Sequence, residues 1–141
     1  MLPMREQTPA GHKPHKKEDL AFEIAFFEGI ARRDPDYIEA LQVLGDAYTK
    51  TGQWEKGLLV DQRLARLCPE NPLVFYNLAC SYSLMKSIDE AFAALDRAVQ
   101  LGYNDARWLA KDPDLENLRH DSRFETIRLH LRKRGHNPSR D

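Results

Sequence analysis

The sequence predicts an all-α fold, a short right-handed α-solenoid of antiparallel helix pairs, and three observations carry that prediction. The segment Leu44-Gly45-Asp46-Ala47-Tyr48 recurs thirty-four residues later as Leu78-Ala79-Cys80-Ser81-Tyr82, a spacing that marks a repeated helical hairpin. Between and around the recurrences, apolar residues fall three and four apart, the period of one helix face. Prolines and glycines interrupt the chain where those periodic stretches end.

The elements follow in order. Residues 1–17, with Pro3, Pro9, Gly11 and Pro14 among Lys and His, show no periodic apolar face and read as a disordered basic arm. A helix then carries Leu20, Ile24, Phe27, Ile30 and Ala31 on one side and ends at Asp34-Pro35, because proline disfavours helix in the residue before it. The next helix runs roughly from Asp36 to Lys50, with Leu41, Leu44, Gly45 and Tyr48 on one stripe and Gly52 placed to close it in a left-handed turn. Its partner, Gln53 to Leu67, turns Trp54, Leu58, Leu64 and Leu67 inward and stops before Pro69. Asn71-Pro72 supplies a cap and a first-turn proline for a helix reaching about Met85. Ser87-Ile88-Asp89-Glu90 has the form of a capping box that opens a fifth helix ending at Gly102.

Laid over one another at thirty-four residues, the two units pair Leu41 with Phe75, Trp54 with Ile88, Gly57 with Ala91, Leu64 with Ala98 and Leu67 with Leu101. Small residues at 45, 79, 57 and 91 allow the paired helices to approach closely, and Tyr48 and Tyr82 fill the space beside them. On these residues the chain resembles the tetratricopeptide repeat proteins over roughly residues 20 to 103, with two full units and a preceding half unit. It departs from that pattern at Asp61, where a large apolar residue is expected, at Lys86, where a glycine is expected, and at Tyr103, where a proline is expected.

Beyond Gly102 the chain changes character. Pro113 cuts the next helix to about a turn and a half. The run Asp112-Pro113-Asp114-Leu115, Leu118-Arg119 and Asp121-Ser122-Arg123-Phe124 resembles the closing segment that follows such repeats in bacterial proteins. Asp112 and Asp121 are placed to cap short helices, and Phe124, Ile127 and Leu131 line one face of the last. The expected organisation is therefore an arm at 1–17, a solenoid domain at 18–134 whose cap occupies 104–134, and a disordered tail at 135–141.

Charge and composition narrow the function. Residues 19–127 hold twelve basic and nineteen acidic groups, a balance of -7, with the excess of basic residues confined to the two ends. An acidic body with basic ends does not offer the broad positive face that nucleic acid requires. No apolar run reaches the ~20 residues that span a bilayer. Cys68 and Cys80, twelve apart, fit neither a disulfide framework nor a zinc pair, so reduced thiols in a cytoplasmic protein are expected. Phosphate loops, metal-binding helix motifs and nucleophile settings are missing, so neither an enzyme nor a cofactor is expected. His12 and His15 sit among lysines that repel a cation, which argues against a metal site.

The resemblance implies instead a groove for a partner protein or peptide, lined by the first helix of each unit. Its candidate lining is Gln42, Val43, Asp46 and Lys50, beside Glu39, from one helix and Leu73, Tyr76, Asn77, Cys80 and Leu84 from the next. Because Phe75, Leu78, Ala79 and Tyr82 already supply a packing face, Leu73, Tyr76 and Leu84 are surplus apolar surface, and surplus of that kind binds something. Either a partner occupies it, with Tyr76 and Leu84 as anchors and Asn77 bonding the peptide backbone, or the arm 1–17 or the helix 122–133 covers it from within the chain. In family members that grip a carboxylate, cations and an asparagine line the groove; Asn77, Arg107 and Lys111 suit that role here, whereas Gln42 is neutral and Asp46 repels such a ligand. The leading expectation is a protein-binding adaptor or scaffold. The alternatives are a secretion-type chaperone holding an export substrate and a homodimer formed through Phe26, Leu59 and Val60.

Overall fold

The computed structural model describes residues 17–135, which form seven α-helices and one short 3₁₀ helix. In chain order these are α1 (Lys17–Arg33), α2 (Ile38–Lys50), α3 (Trp54–Leu67), α4 (Pro72–Leu84), α5 (Ile88–Gln100), α6 (Ala106–Lys111), the 3₁₀ helix Pro113–Leu118 and α7 (Ser122–Gly135). Each of the first four helices packs on the next, and the last elements fold back on α4 and α5, so the chain is a short helical solenoid. Lys17 already belongs to α1. Gly135, expected to open the tail at 135–141, ends α7; the rest of that tail, and the rest of the expected arm with His12 and His15, lie outside the described residues. Among the described residues no helix is long and apolar enough to cross a membrane.

Local chemistry sets the boundaries. Asn71 Oδ1 accepts from the backbone N–H of Leu73 at 2.9 Å and Val74 at 3.4 Å, with Pro72 at the first helical position where a missing N–H costs nothing. Asp105 caps α6 by accepting from Trp108 N–H at 2.9 Å, and Asp112 caps the 3₁₀ helix by accepting from Asp114 N–H at 3.0 Å. Ser87 stands at the cap of α5 without making a side-chain bond there, so the expected capping box is not formed. Acidic residues in its first turn, Asp89 and Glu90, favour that end through the helix dipole instead.

The repeat is visible in the backbone. After α2 the N–H of Gln53 returns to Tyr48 C=O at 2.8 Å, and after α4 the N–H of Ser87 returns to Tyr82 C=O at 2.9 Å. Gly52 and Lys86 occupy the left-handed residue of the two turns, with φ of 75° and 60°. Side chains repeat as well: Tyr48 donates to Glu28, and Tyr82 takes a bond from Gln62 at 3.1 Å, two contacts across the same twenty residues. The helix pairs are thus built on one plan.

Three buried clusters run along the array. Leu20 and Ile24 of α1 pack with Leu44, Ala47 and Tyr48 of α2; Leu41, Leu64 and Val74 join α2, α3 and α4; the largest cluster joins α4, α5 and the closing elements through residues such as Leu78, Leu95, Leu115 and Leu131. Two expectations are corrected. Trp54, at the first residue of α3 and ahead of its packed turns, is 43% exposed rather than inward. Val60, expected on the outer surface beside Phe26 and Leu59, is half-buried between the first two clusters, whereas those two neighbours are exposed.

Asp61, in place of a large apolar residue, is buried and accepts from Ser81 Oγ at 2.5 Å. Ser81 compensates for that departure, since Ala47 stands where it does in the preceding unit. Lys86 carries the cost of a side chain in a left-handed turn, about 1–2 kcal/mol, which glycine avoids. Lys86→Gly is therefore expected to stabilise the fold by ~1 kcal/mol in urea denaturation, and Gly52→Ala to destabilise it by a similar amount.

Candidate functional site

The expected groove lies along α2 and α4, whose thirty-four-residue register sets Gln42 against Tyr76, Val43 against Asn77, Asp46 against Cys80 and Lys50 against Leu84. On α2 these positions keep access to solvent. Gln42 and Val43 are half-buried, and Asp46 and Lys50 form an ion pair at 2.8 Å with side chains 34% and 31% exposed. Glu39 is exposed at the start of the same helix. On α4, Leu73, Asn77 and Leu84 are half-buried, and Leu73 borders an open hollow of about 510 Å³ at the α3–α4 corner, shared with Cys68, Pro69, Asn71 and Pro72.

Tyr76 and Cys80 correct the expectation that they form open surface, since both are 1% exposed. The stretch between α5 and α7, rather than the helix 122–133, covers them. Tyr76 Oη donates to Asp112 Oδ2 at 2.5 Å, its ring stacks on Tyr103 with centroids 4.4 Å apart and planes 12° from parallel, and Cys80 Sγ lies 3.7 Å from the same carboxylate oxygen. Farther along, Asn117 Nδ2 donates to Ser83 C=O at 2.8 Å. Leu109, Leu115 and Leu118 complete the apolar contact, each fully buried.

Arg119 holds this covering stretch in shape. Its guanidinium donates to Ala110 C=O at 2.5 Å and to Asp112 C=O, and pairs with Glu116 at 2.9 Å. The carbonyls left open at the end of α6 are thereby satisfied by a cation, the favoured partner at a helix C-terminus. Arg123 reaches back to Asp89 at 3.0 Å and lies over the Phe92 ring at 4.3 Å, while Arg134 donates to Val99 C=O at 3.2 Å, so α7 is tied to α5. Arg107 and Lys111 are exposed on α6, with the Lys111 ammonium 5.8 Å from the Trp108 ring centroid. They lie on the covering stretch, beside α4 in register but outside the α2 surface.

The electrostatics match burial. Burial first, then electrostatic repulsion of a phenolate by the neighbouring Cys80, Tyr103 and Asp112 and the bond to Asp112, hold the Tyr76 phenol far above its ordinary range. Burial likewise raises Tyr103, and burial with the bond to Glu28 raises Tyr48. At the opposite end of the scale, the Arg123 side chain and backbone draw the half-buried Asp121 carboxyl down to about 2. Cys80 Sγ and oxygens of Asp112 and Asp114 converge within 4.8 Å, a spacing that admits a cation, but Tyr76 and the Asp114 N–H already occupy the two Asp112 oxygens. The cluster works as a hydrogen-bonded clamp. Cys68 and Cys80 are both thiols, joined in no disulfide.

Sequence reasoning missed the Tyr76–Asp112 bond, the Tyr103 stack and the Arg119 clamp. A signal existed for one of them: Tyr103 breaks the repeat where a proline is expected, and it is buried at 4% exposure.

No protein-family model matches the chain. It is 32% identical over 103 residues to a chloroplastic protein of Arabidopsis thaliana, a match covering 71% of this chain and 29% of that protein. It is 28% identical over 92 residues to the peroxisomal targeting signal receptors of Komagataella phaffii and Komagataella pastoris, covering 64% of this chain and 16% of each receptor. The chain thus spans less than a third of the length of these relatives.

The raised tyrosines set an alkaline limit. A phenol whose folded value lies above its unfolded value of 10.0 contributes stability that is complete below that pH and lost above it. Melting temperature is expected to hold up to about pH 9 and fall beyond about pH 10. Phenolate absorbance from Tyr48, Tyr76 and Tyr103 should appear only with loss of helical circular dichroism; reversible ionisation with the helices intact contradicts the burial.

Proposed function

We propose that this chain is a tetratricopeptide-type adaptor that binds a partner polypeptide and carries out no chemistry itself. One observation carries the reading: two helical hairpins stand in one register, and α2 keeps Gln42, Val43, Asp46 and Lys50 accessible while their counterparts Tyr76 and Cys80 of α4 are covered by the chain's own closing stretch. Occupied by Tyr103 and Asp112, the α4 half serves stability. The α2 half, with Gln42, Val43, Asp46 and Lys50, is the surface left for a partner, flanked by Leu73, Asn77 and Leu84.

Two kinds of support accompany the geometry. Two of the relatives are named as receptors for a targeting signal, and recognition of such a signal is a binding role. The α2 surface is amphipathic, with an apolar Val43 beside an acid and a base one turn apart, which suits a peptide fixed by a few anchors and oriented by charge.

Val43→Asp with Lys50→Glu tests the reading by affinity capture and mass spectrometry, with Leu59→Asp on the outer surface as control. Partners bound by the unmodified chain are expected to fall roughly tenfold or more in the double variant and to persist in the control, with both melting near the parent. Equal capture by the double variant would place the partner surface elsewhere.

A further inference from the structure

The outward face of α1 is a self-complementary stripe. Phe22 is 75% and Phe26 55% exposed, Ala25 is exposed, and Gly29 is half-buried. At 100° per residue, positions 18, 22, 25, 26, 29 and 33 fall within one arc of about 100°, opposite the Leu20 and Ile24 side that packs on α2. Among the described residues, a Cβ placed on Gly29 would meet only the flexible end of Arg32, at 3.8 Å, so another side chain has room above it. Acidic residues stand at one end, Glu18 and Asp19, and basic residues at the other, Arg32 and Arg33, all exposed.

From this arrangement we infer that α1 pairs antiparallel with α1 of a second copy of the chain, about a two-fold axis between Ala25 and Phe26. Reversing the helix about that point sets Glu18 against Arg32 and Asp19 against Arg33 of the second copy, and reciprocally. It seats Phe22 over Gly29, and brings Ala25 to Ala25 and Phe26 to Phe26 on the two sides of the axis. The seven-residue intervals 18-25-32, 19-26-33 and 22-29 each stay on one line of the helix, the spacing of an antiparallel helix pair. A two-fold contact requires one patch to complement itself, and this patch does so in charge and in shape at once. It lies at the α1 end of the described helices. The surface is separate from the α2 groove and leaves that groove open.

Sedimentation equilibrium of the full chain from about 5 to about 500 µM tests the inference, because a contact of this size assembles by mass action. The unmodified chain is expected to dimerise. Phe22→Asp with Phe26→Asp should shift the dissociation constant at least a hundredfold while leaving circular dichroism unchanged, since both rings are exposed. Glu18→Lys with Asp19→Lys should weaken the dimer at least tenfold, and adding Arg32→Glu with Arg33→Glu should restore it. That restoration separates pairing between copies from the helix dipole, which the full reversal opposes. A chain that stays monomeric throughout, a dimer indifferent to the phenylalanine changes, a full reversal that does not restore, or dissociation by Leu59→Asp would each overturn it.

Discussion

Asp112 is a carboxylate buried among apolar side chains, and such a group is tolerated only where its oxygens find donors. One oxygen takes the Tyr76 hydroxyl and the other takes the Asp114 N–H that opens the 3₁₀ helix. This one residue therefore fixes the end of α6, the start of the next turn and the distance of both from α4. Tyr103 adds a stacked ring to the same tyrosine, and Arg119 gathers the carbonyls that the break in the chain leaves open. The closing stretch is held on α4 by polar groups that must find each other, and the leucines beneath them fill the remaining volume.

That contact decides what the solenoid offers to other molecules. Helical hairpins stacked in one register generate equivalent rows of side chains, so a surface presented by one unit is presented by the next unless something covers it. Here the middle of the second row, Tyr76 and Cys80, is covered, whereas Gln42, Val43, Asp46 and Lys50 of the first keep access to solvent. The array is asymmetric although its plan is repetitive: α4 carries its apolar excess inward against its own chain, and α2 carries a mixed row of apolar and charged residues facing solvent. The other open feature, the outward face of α1, arises because α1 stands at an end of the described helices.

Much of the fold is legible in the sequence because its signals are local. Asn71-Pro72, Gly52 and Gly102 act within a turn of their own positions, and the helix boundaries they predict agree with the structure to within a residue or two. The repeat itself determines which helices pair. What stays hidden depends on residues distant in the chain. Asp61 reads as a flaw in the pattern because its donor, Ser81, stands twenty residues on. Tyr76 reads as surplus surface because its partner Asp112 stands thirty-six residues away and has locally the form of a cap alone. Of the candidate site, the α2 residues lie where periodicity puts them, whereas Tyr76 and Cys80 are drawn inward by a segment whose docking no helical period encodes.

A double-mutant cycle between Tyr76→Phe and Asp112→Ala, followed by urea denaturation, measures the central contact directly. The loss of the Asp112 cap appears in both arms and cancels, leaving the hydroxyl–carboxylate interaction. A coupling of about 1.5–3 kcal/mol, the range for a hydrogen bond to a charged group, is the expected result. Additive effects, with a coupling near zero, would show that the closing stretch is not held on α4 by this pair.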